Sequence, residues 1–260
     1  MNIKVMLISK HLKLLHHLKS ADPGRGTASR ALRLGVPVVD TALGGGLTFG
    51  ALHELSPRAP MHFGAAAGFA LALASLRQGR RQTLWIQQEF AAAEAGALYG
   101  PGLDLVGLPS KRILILRVPR AEDALWAMEE TLKCRAAVTV VAEVRNDGAW
   151  TDLRTTRRLV LAAGEGGGIG FLLRHRPSAA PSPAATRWEI AAVSGARDRF
   201  GGLGPATFSI ALVKNRRGPC ARWLVAWNHH ERVFSPALSL GVAAASGDGS
   251  NPARPRRHAG

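Results

Sequence analysis

The sequence predicts an α/β fold: a mostly parallel sheet flanked by helices, with an antiparallel extension at one edge. Between about Ala51 and His175, apolar runs of strand length alternate with stretches of helical character. Repeated β–α order of this kind implies parallel strands covered by helices. After Thr186 the strand-like runs follow one another without helices between them, which implies antiparallel additions. The 260 residues are 47% hydrophobic, enough to bury a core and to exclude disorder of the whole chain.

Each element follows from its local pattern. A strand near Ala51–Leu55 precedes an Ala- and Leu-rich helix that starts near Gly64. QTLWIQQE reads as a buried strand and FAAAEAGALYG as a helix closed by Gly100. KRILILRV is a strand, and AEDALWAMEETLKC is a helix with acids in its first turn and Lys133 near its end, as the helix dipole favours. AAVTVVAEV is an apolar strand, TDLRTTRRLVLAAGEGG a helix, and IGFLLRH a strand. GEGGGIG (Gly164–Gly170) follows a helix and precedes a strand, the reverse of a dinucleotide-binding context, so it reads as a helix stop and turn. PSAAPSPAAT (Pro177–Thr186) reads as a flexible loop with basic ends. TRWEIAAVSGA, TFSIALVKNRR and CARWLVAWN are the late strands, the last two joined around Gly218-Pro219, with Trp223 and Trp227 on one core-facing side.

The ends differ from this core. Residues 1–30 read as a basic amphipathic helix, with Leu12, Leu14, Leu15 and Leu18 on one face, followed by a polar linker; residues 31–242 form the α/β domain; residues 243–260 form a low-complexity, disordered basic tail. No apolar run is long enough to span a bilayer. Cys134 and Cys220 fit no disulfide or metal framework, which points to a reducing cytoplasm, and no cofactor is expected. The formal charge of +16, from 34 basic and 18 acidic residues, favours an acidic partner such as nucleic acid, although Arg-rich composition alone does not establish DNA binding.

Residues 52–74, LHELSPRAPMHFGAAAGFALALA, place a short loop between strand and helix, where a nucleotide-binding protein holds phosphate. From Leu34 to Phe234 the chain resembles the RecA recombinase core. LGVPVVDTALGGGLTFGALHEL resembles that family's entry segment, and LWIQQE the strand that carries its catalytic glutamate, which maps to Glu89. The late hairpin ALVKNRRGPCARWLVAW resembles the one whose basic run reaches a neighbouring subunit's nucleotide, and maps to Lys214, Asn215 and Arg216.

The departures from that family are chemical. A phosphate loop needs inward amides, a lysine and a metal-holding hydroxyl. The loop here comprises Ser56, Pro57, Arg58, His62, Phe63 and Gly64 at the aligned positions; Pro57 and Pro60 lack N–H groups, and His62-Phe63-Gly64 stands where Gly-Lys-Ser/Thr would be. Ala142 replaces the strand-end aspartate, Glu143 is expected to face the opposite way, and Arg174 replaces the glutamine that senses the γ-phosphate. Loss of the lysine and a metal ligand together removes stabilisation on the order of several kcal/mol. No catalytic or metal residue is therefore expected, and the chain is read as a non-enzyme with at most weak nucleotide binding.

Leu43–Leu55 and the Lys-Asn-Arg-Arg-Gly turn resemble the ImuA-type branch of this family, from bacterial mutagenesis cassettes. The resemblance implies an accessory role in DNA-damage-induced translesion synthesis (the SOS response), beside an ImuB-like inactive polymerase and an error-prone DNA polymerase complex, with RecA and DNA as further partners and no membrane. A DNA-dependent ATPase of recombinase type and a damage-induced cell-division inhibitor share the same core and are the alternatives. Candidate contacts to DNA or partner are Arg154, Arg157 and Arg158, spaced along one helix face, together with Arg176, Arg187, Lys214, Arg216 and Arg217. For the helix stripe a binding surface and a solvated face both remain open.

Overall fold

A computed structural model describes residues 4–7, 31–76, 82–134, 137–145, 152–195, 202 and 204–237 of the chain. One ten-stranded sheet runs through it. Its strands are β1 (Lys4–Leu7), β4 (Ala51–Pro57), β5 (Gln82–Gln88), β6 (Ile113–Val118), β7 (Ala137–Val144), β8 (Ile169–Arg174), β9 (Thr186–Val193), β10 (Thr207–Asn215), β11 (Arg222–Asn228) and β12 (Val233–Pro236), in the spatial order β1-β6-β5-β7-β8-β4-β9-β10-β11-β12. A separate two-stranded ribbon pairs β2 (Ala31–Leu32) with β3 (Leu47–Thr48).

All pairings from β1 to β9 are parallel, and those from β9 through β12 are antiparallel. The expected antiparallel extension is present but begins one strand later than the sequence suggested. Strand β9 runs parallel to β4 and antiparallel only to β10, so the helix-free connection from β8 to β9 is a crossover past β4. The N-terminal reading is also corrected in part. Lys4–Leu7 is not helical but an edge strand beside β6. Residues 8–30, with the leucines of the expected amphipathic helix, and the tail 243–260 lie outside the described residues.

Helices cover both sheet faces. On one lie α1 (Pro37–Ala42), α2 (Phe63–Ser75) and α4 (Gly100–Val106); on the other lie α5 (Ala121–Lys133) and α6 (Leu153–Gly166). Strand alternation divides the core accordingly. Val141 of β7 joins Trp85, Phe171 and Trp188 beneath α2, whereas Val140, Ala142 and Val144 pack under α5 and α6. Helix α2 is apolar almost all round; its alanines let it sit close to the sheet, and Phe69 fills the gap against Trp188, Phe208 and Phe234. Helix α6 starts at Asp152, whose carboxylate accepts the Thr155 amide at 2.7 Å, and stops at the left-handed Gly167.

The stretch read as one helix closed by Gly100 is two. Helix α3 (Glu89–Ala95) stops at Gly96, whose φ of +89° no β-carbon residue adopts readily, and Gly100 opens α4. The Gly44-Gly45-Gly46 turn returns the chain from α1 to pair with β2. A β-carbon on Gly46 would lie 2.5 Å from the Leu32 carbonyl oxygen, so the glycine serves chain packing. Asp40 fixes the entry to α1 by accepting the amides of Leu34 at 2.8 Å and Gly35 at 3.0 Å.

His53 is buried in β4. Its Nε2 donates to the Thr48 carbonyl at 3.0 Å, and its Nδ1 accepts from the Thr186 hydroxyl at 2.8 Å, which in turn accepts Trp188 Nε1 at 2.8 Å. Burial lowers its pKa from 6.5 to about 4, only partly opposed by the bond to Thr48. Above pH 6.5 both folded and unfolded chains hold this imidazole neutral, and between 6.5 and about 4 only the unfolded chain takes up the proton. Stability from this group is therefore lost on acidification through that window, by about 3 kcal/mol in all. Urea unfolding of wild type and His53→Gln at pH 7 and pH 5 should show a smaller acid loss in the variant; equal losses would assign the effect elsewhere.

Candidate functional site

The C-terminal ends of β4, β5, β7 and β8 converge on the turn between β4 and α2. In this turn several backbone donors are spent or missing. Pro57 and Pro60 have none, Arg58 N–H donates to the Ile190 carbonyl at 2.8 Å, and His62 N–H donates to Ala59 at 2.9 Å. The Phe63 amide returns to the Pro60 carbonyl in a 3-10 turn. Ser56 is buried and donates its hydroxyl to Trp188 at 3.1 Å. The His62 ring is held by the Ala192 amide at 3.3 Å, and Gly64 lies in the first turn of α2 with open space beside it. Arg58 is exposed.

Beneath the turn, the strand phase places a carboxylate where the sequence reading had removed one. Ala142 faces α5 and α6, and it is Glu143 that faces α2. The error lay in taking Ala142 as the site-facing position: the two residues do point oppositely, but the phase is the other one. Glu143 is buried and fully engaged. Its Oε1 meets His175 Nε2 at 3.1 Å, and its Oε2 accepts Trp85 Nε1 at 3.3 Å and Gln87 Nε2 at 3.1 Å. The His175 ring stacks on Phe63, with centroids 3.8 Å apart and planes at 22°. An aromatic pair over a bonded carboxylate thus occupies the mouth of the turn, and a cleft of about 220 Å³ remains beside it between Pro60, Phe63, Glu94, Arg145, His175 and Arg176. Arg145 pairs with Glu94 and lies over the Phe90 ring at 5.0 Å. Glu89 is exposed on the first residue of α3.

Two of the basic residues read as external contacts, Arg187 and Lys214, belong instead to an interior network that also holds Arg174. Glu54, on the α5–α6 side of β4, is 1% exposed. Its carboxylate meets Arg174 at 3.1 Å, Arg187 at 2.6 Å and the Ser182 hydroxyl at 2.7 Å. Burial pushes its pKa up, but Arg174, Ser182 and Arg187 together outweigh that and hold it below the usual carboxylate range. Arg187 also donates to the carbonyls of Ser178 and Ala180, each at 2.7 Å, and Lys214 Nζ donates to that of Ser182. Burial, helped by Arg216 and Arg187 against the pull of Glu54, lowers the Lys214 pKa. The Pro-rich crossover, expected to be a flexible loop, is therefore pinned by side chains at three of its carbonyls.

The remaining predicted contacts are exposed but scattered. Arg176 stands at the rim of the cleft, and Arg216 and Arg217 lie at the β10–β11 turn. That turn docks on the end of α1: Asn215 donates to the Ala42 carbonyl at 2.9 Å and Arg217 reaches Gly44 at 3.4 Å. Arg154, Arg157 and Arg158 are exposed on α6, with Arg158 paired to Glu129 of α5. Sequence reasoning missed Glu54 and His175 and misjudged Glu143. An acid within the apolar run LHELSP was a usable signal for Glu54, because unpaired acids are rarely buried. No helix among the described residues is long and apolar enough to cross a membrane.

The parallel sheet, helices on both faces and the strand-turn-helix at β4 define a RecA-like fold. The crystal structure of the RadB recombinase has the same fold, with a TM-score of 0.54 over 80% of this chain and all of that one, at 12% identity. No protein-family profile matches the chain. Protein ImuA of Caulobacter vibrioides, in strains NA1000 / CB15N and ATCC 19089 / CIP 103742 / CB 15, is 28% identical over 247 residues, covering 86% of this chain and 97% of the relative. The chain is thus similar to ImuA in sequence and to the RadB recombinase in fold.

Removing one partner from a buried ion cluster leaves uncompensated charge, so Glu54→Ala should lower unfolding free energy by about 3–5 kcal/mol. Arg187→Ala should in addition speed amide exchange across residues 178–184 more than in β5 or β6. Exchange unchanged in the crossover would show that the latch is not what holds it.

Proposed function

We propose that the chain is a non-catalytic RecA-like accessory protein of DNA-damage-induced translesion synthesis. In this reading it works in the cytoplasm within a mutagenesis cassette, as an adaptor to a polymerase-like ImuB partner. The error-prone polymerase complex, the recombinase and DNA are the further components it meets. The similarity to ImuA over nearly the whole relative supports the setting.

The observation that carries the non-catalytic part is the closed turn between β4 and α2. Phosphate recognition at such a turn depends on amides left free for the ligand, supplemented by a cation and a metal-holding hydroxyl. Here the Arg58, His62 and Phe63 amides already have acceptors, two prolines have none to offer, and Phe63 stacks on His175 at the lysine position. Glu143 faces the turn, yet both its oxygens accept hydrogen bonds from side chains of this chain, which hold the carboxylate in place.

Purified protein is expected to hydrolyse no ATP above background, with or without single-stranded DNA, and Glu89→Gln should change nothing. Turnover abolished by that substitution would favour the recombinase-type ATPase. For the adaptor role, immobilised full-length chain should capture the purified polymerase-like partner, and comparison with a chain lacking residues 1–30 tells whether the leader takes part. Failure of the full-length chain to retain the partner would sink the adaptor reading.

A further inference from the structure

Helices α5 and α6 lie side by side, and their outward face carries an alternation of apolar and cationic groups. Leu153, Arg154, Arg157, Arg158 and Leu161 recur at helical spacing along about 12 Å of α6. Leu153 is 54% exposed and Leu161 66%, and Trp126 of the neighbouring helix is 40% exposed. The Arg158–Glu129 pair sets the two helices in register, which places Trp126 one turn before Glu129 on the α5 side of the stripe.

Apart from Glu165, exposed one turn beyond Leu161, the acids of this face are already engaged. Glu129 meets Lys133 and Arg158, Glu130 meets Lys133, Glu122 and Asp123 meet Arg120, and Asp152 caps α6. Arg154 and Arg157 are in no ion pair among the described residues. What remains around Arg154 and Arg157 is cationic and apolar together, with large side chains on both ends of the arginine pair.

We infer that the α5–α6 face docks an acidic amphipathic segment of a partner protein, its carboxylates on Arg154 and Arg157 and its apolar side chains on Leu153, Leu161 and Trp126. Charge decides the occupant. The chain is +16 overall, and residues 1–30 and 243–260 are both basic, so neither its own ends nor a second copy supplies the acids. A nucleic-acid backbone would satisfy the arginines but leave the two exposed leucines in water. The inference rests on the adaptor reading for the identity of the partner, not for the surface itself.

The test uses the full chain and a fluorescent probe of about four helical turns, an amphipathic peptide of Glu, Asp, Leu and Phe. A scrambled peptide of the same composition and a single-stranded oligonucleotide serve as controls. Anisotropy should show the probe binding more tightly than its scramble. Arg154→Glu with Arg157→Glu, and separately Leu161→Asp, should each weaken it about tenfold while unfolding midpoints stay unchanged. Equal binding of scramble and probe, or of variants and wild type, overturns the inference, as does selective loss of oligonucleotide binding in the arginine variant. Because the probe has no polymerase-like sequence, a failed partner capture beside intact probe binding overturns the adaptor role and leaves the surface standing.

Discussion

A carboxylate as deeply buried as Glu54 stays ionised only if cations touch it, and that requirement organises the centre of the sheet. Arg174 comes from the end of β8 and Arg187 from the start of β9, the two strands that flank β4. The chain between them has no helix to carry it past β4. It is carried instead by Arg187 and Lys214, which hold the crossover by its carbonyls. One acid thus fixes the place where the parallel block gives way to the antiparallel one. On the other face of β4 His53 bonds to Thr186 of β9, while Ser56, on the Glu54 side, donates to the Trp188 carbonyl, and both close the same seam.

This constraint also decides which charges the protein can offer to others. Arg174, Arg187 and Lys214 look like a basic cluster in sequence, but each is committed to Glu54 or to a crossover carbonyl. The net charge of +16 overstates the cationic surface in this part of the molecule. Arginines with no such commitment lie elsewhere, on the outer face of α6 and at the rim of the cleft beside Phe63.

Much of the fold was legible because its elements announce themselves locally. Apolar strands at regular spacing, the acidic first turn of α5 and the Asp152 cap of α6 needed no tertiary information. The misreadings came where a distant neighbour decides. Nothing within TRWEIAAV says that it pairs parallel with β4, since strand direction depends on which edge is free. Gly100 looked like a helix stop because Gly96, four residues earlier, had already ended the helix. The phase of β7 was misassigned by one residue, which in a strand exchanges faces completely and hid Glu143. The Glu54 network could not be assembled from residues 54, 174, 187 and 214 without knowing that β4 lies between β8 and β9.

A phosphate cradle is a set of backbone donors kept unpaired for a ligand, and unpaired buried donors cost stability when the ligand is away. The turn after β4 reduces that cost by committing or omitting most of its donors. Proline removes two, the sheet and a 3-10 turn take three more, and the Phe63–His175 stack fills space over Glu143. Helix α2 is then anchored by its apolar body against Trp188, Phe208 and Phe234. Docking a phosphate on the Arg58, His62 or Phe63 amide would mean breaking a bond that the chain already makes with itself. The RecA-like architecture here holds the strand–helix turn through contacts internal to the chain.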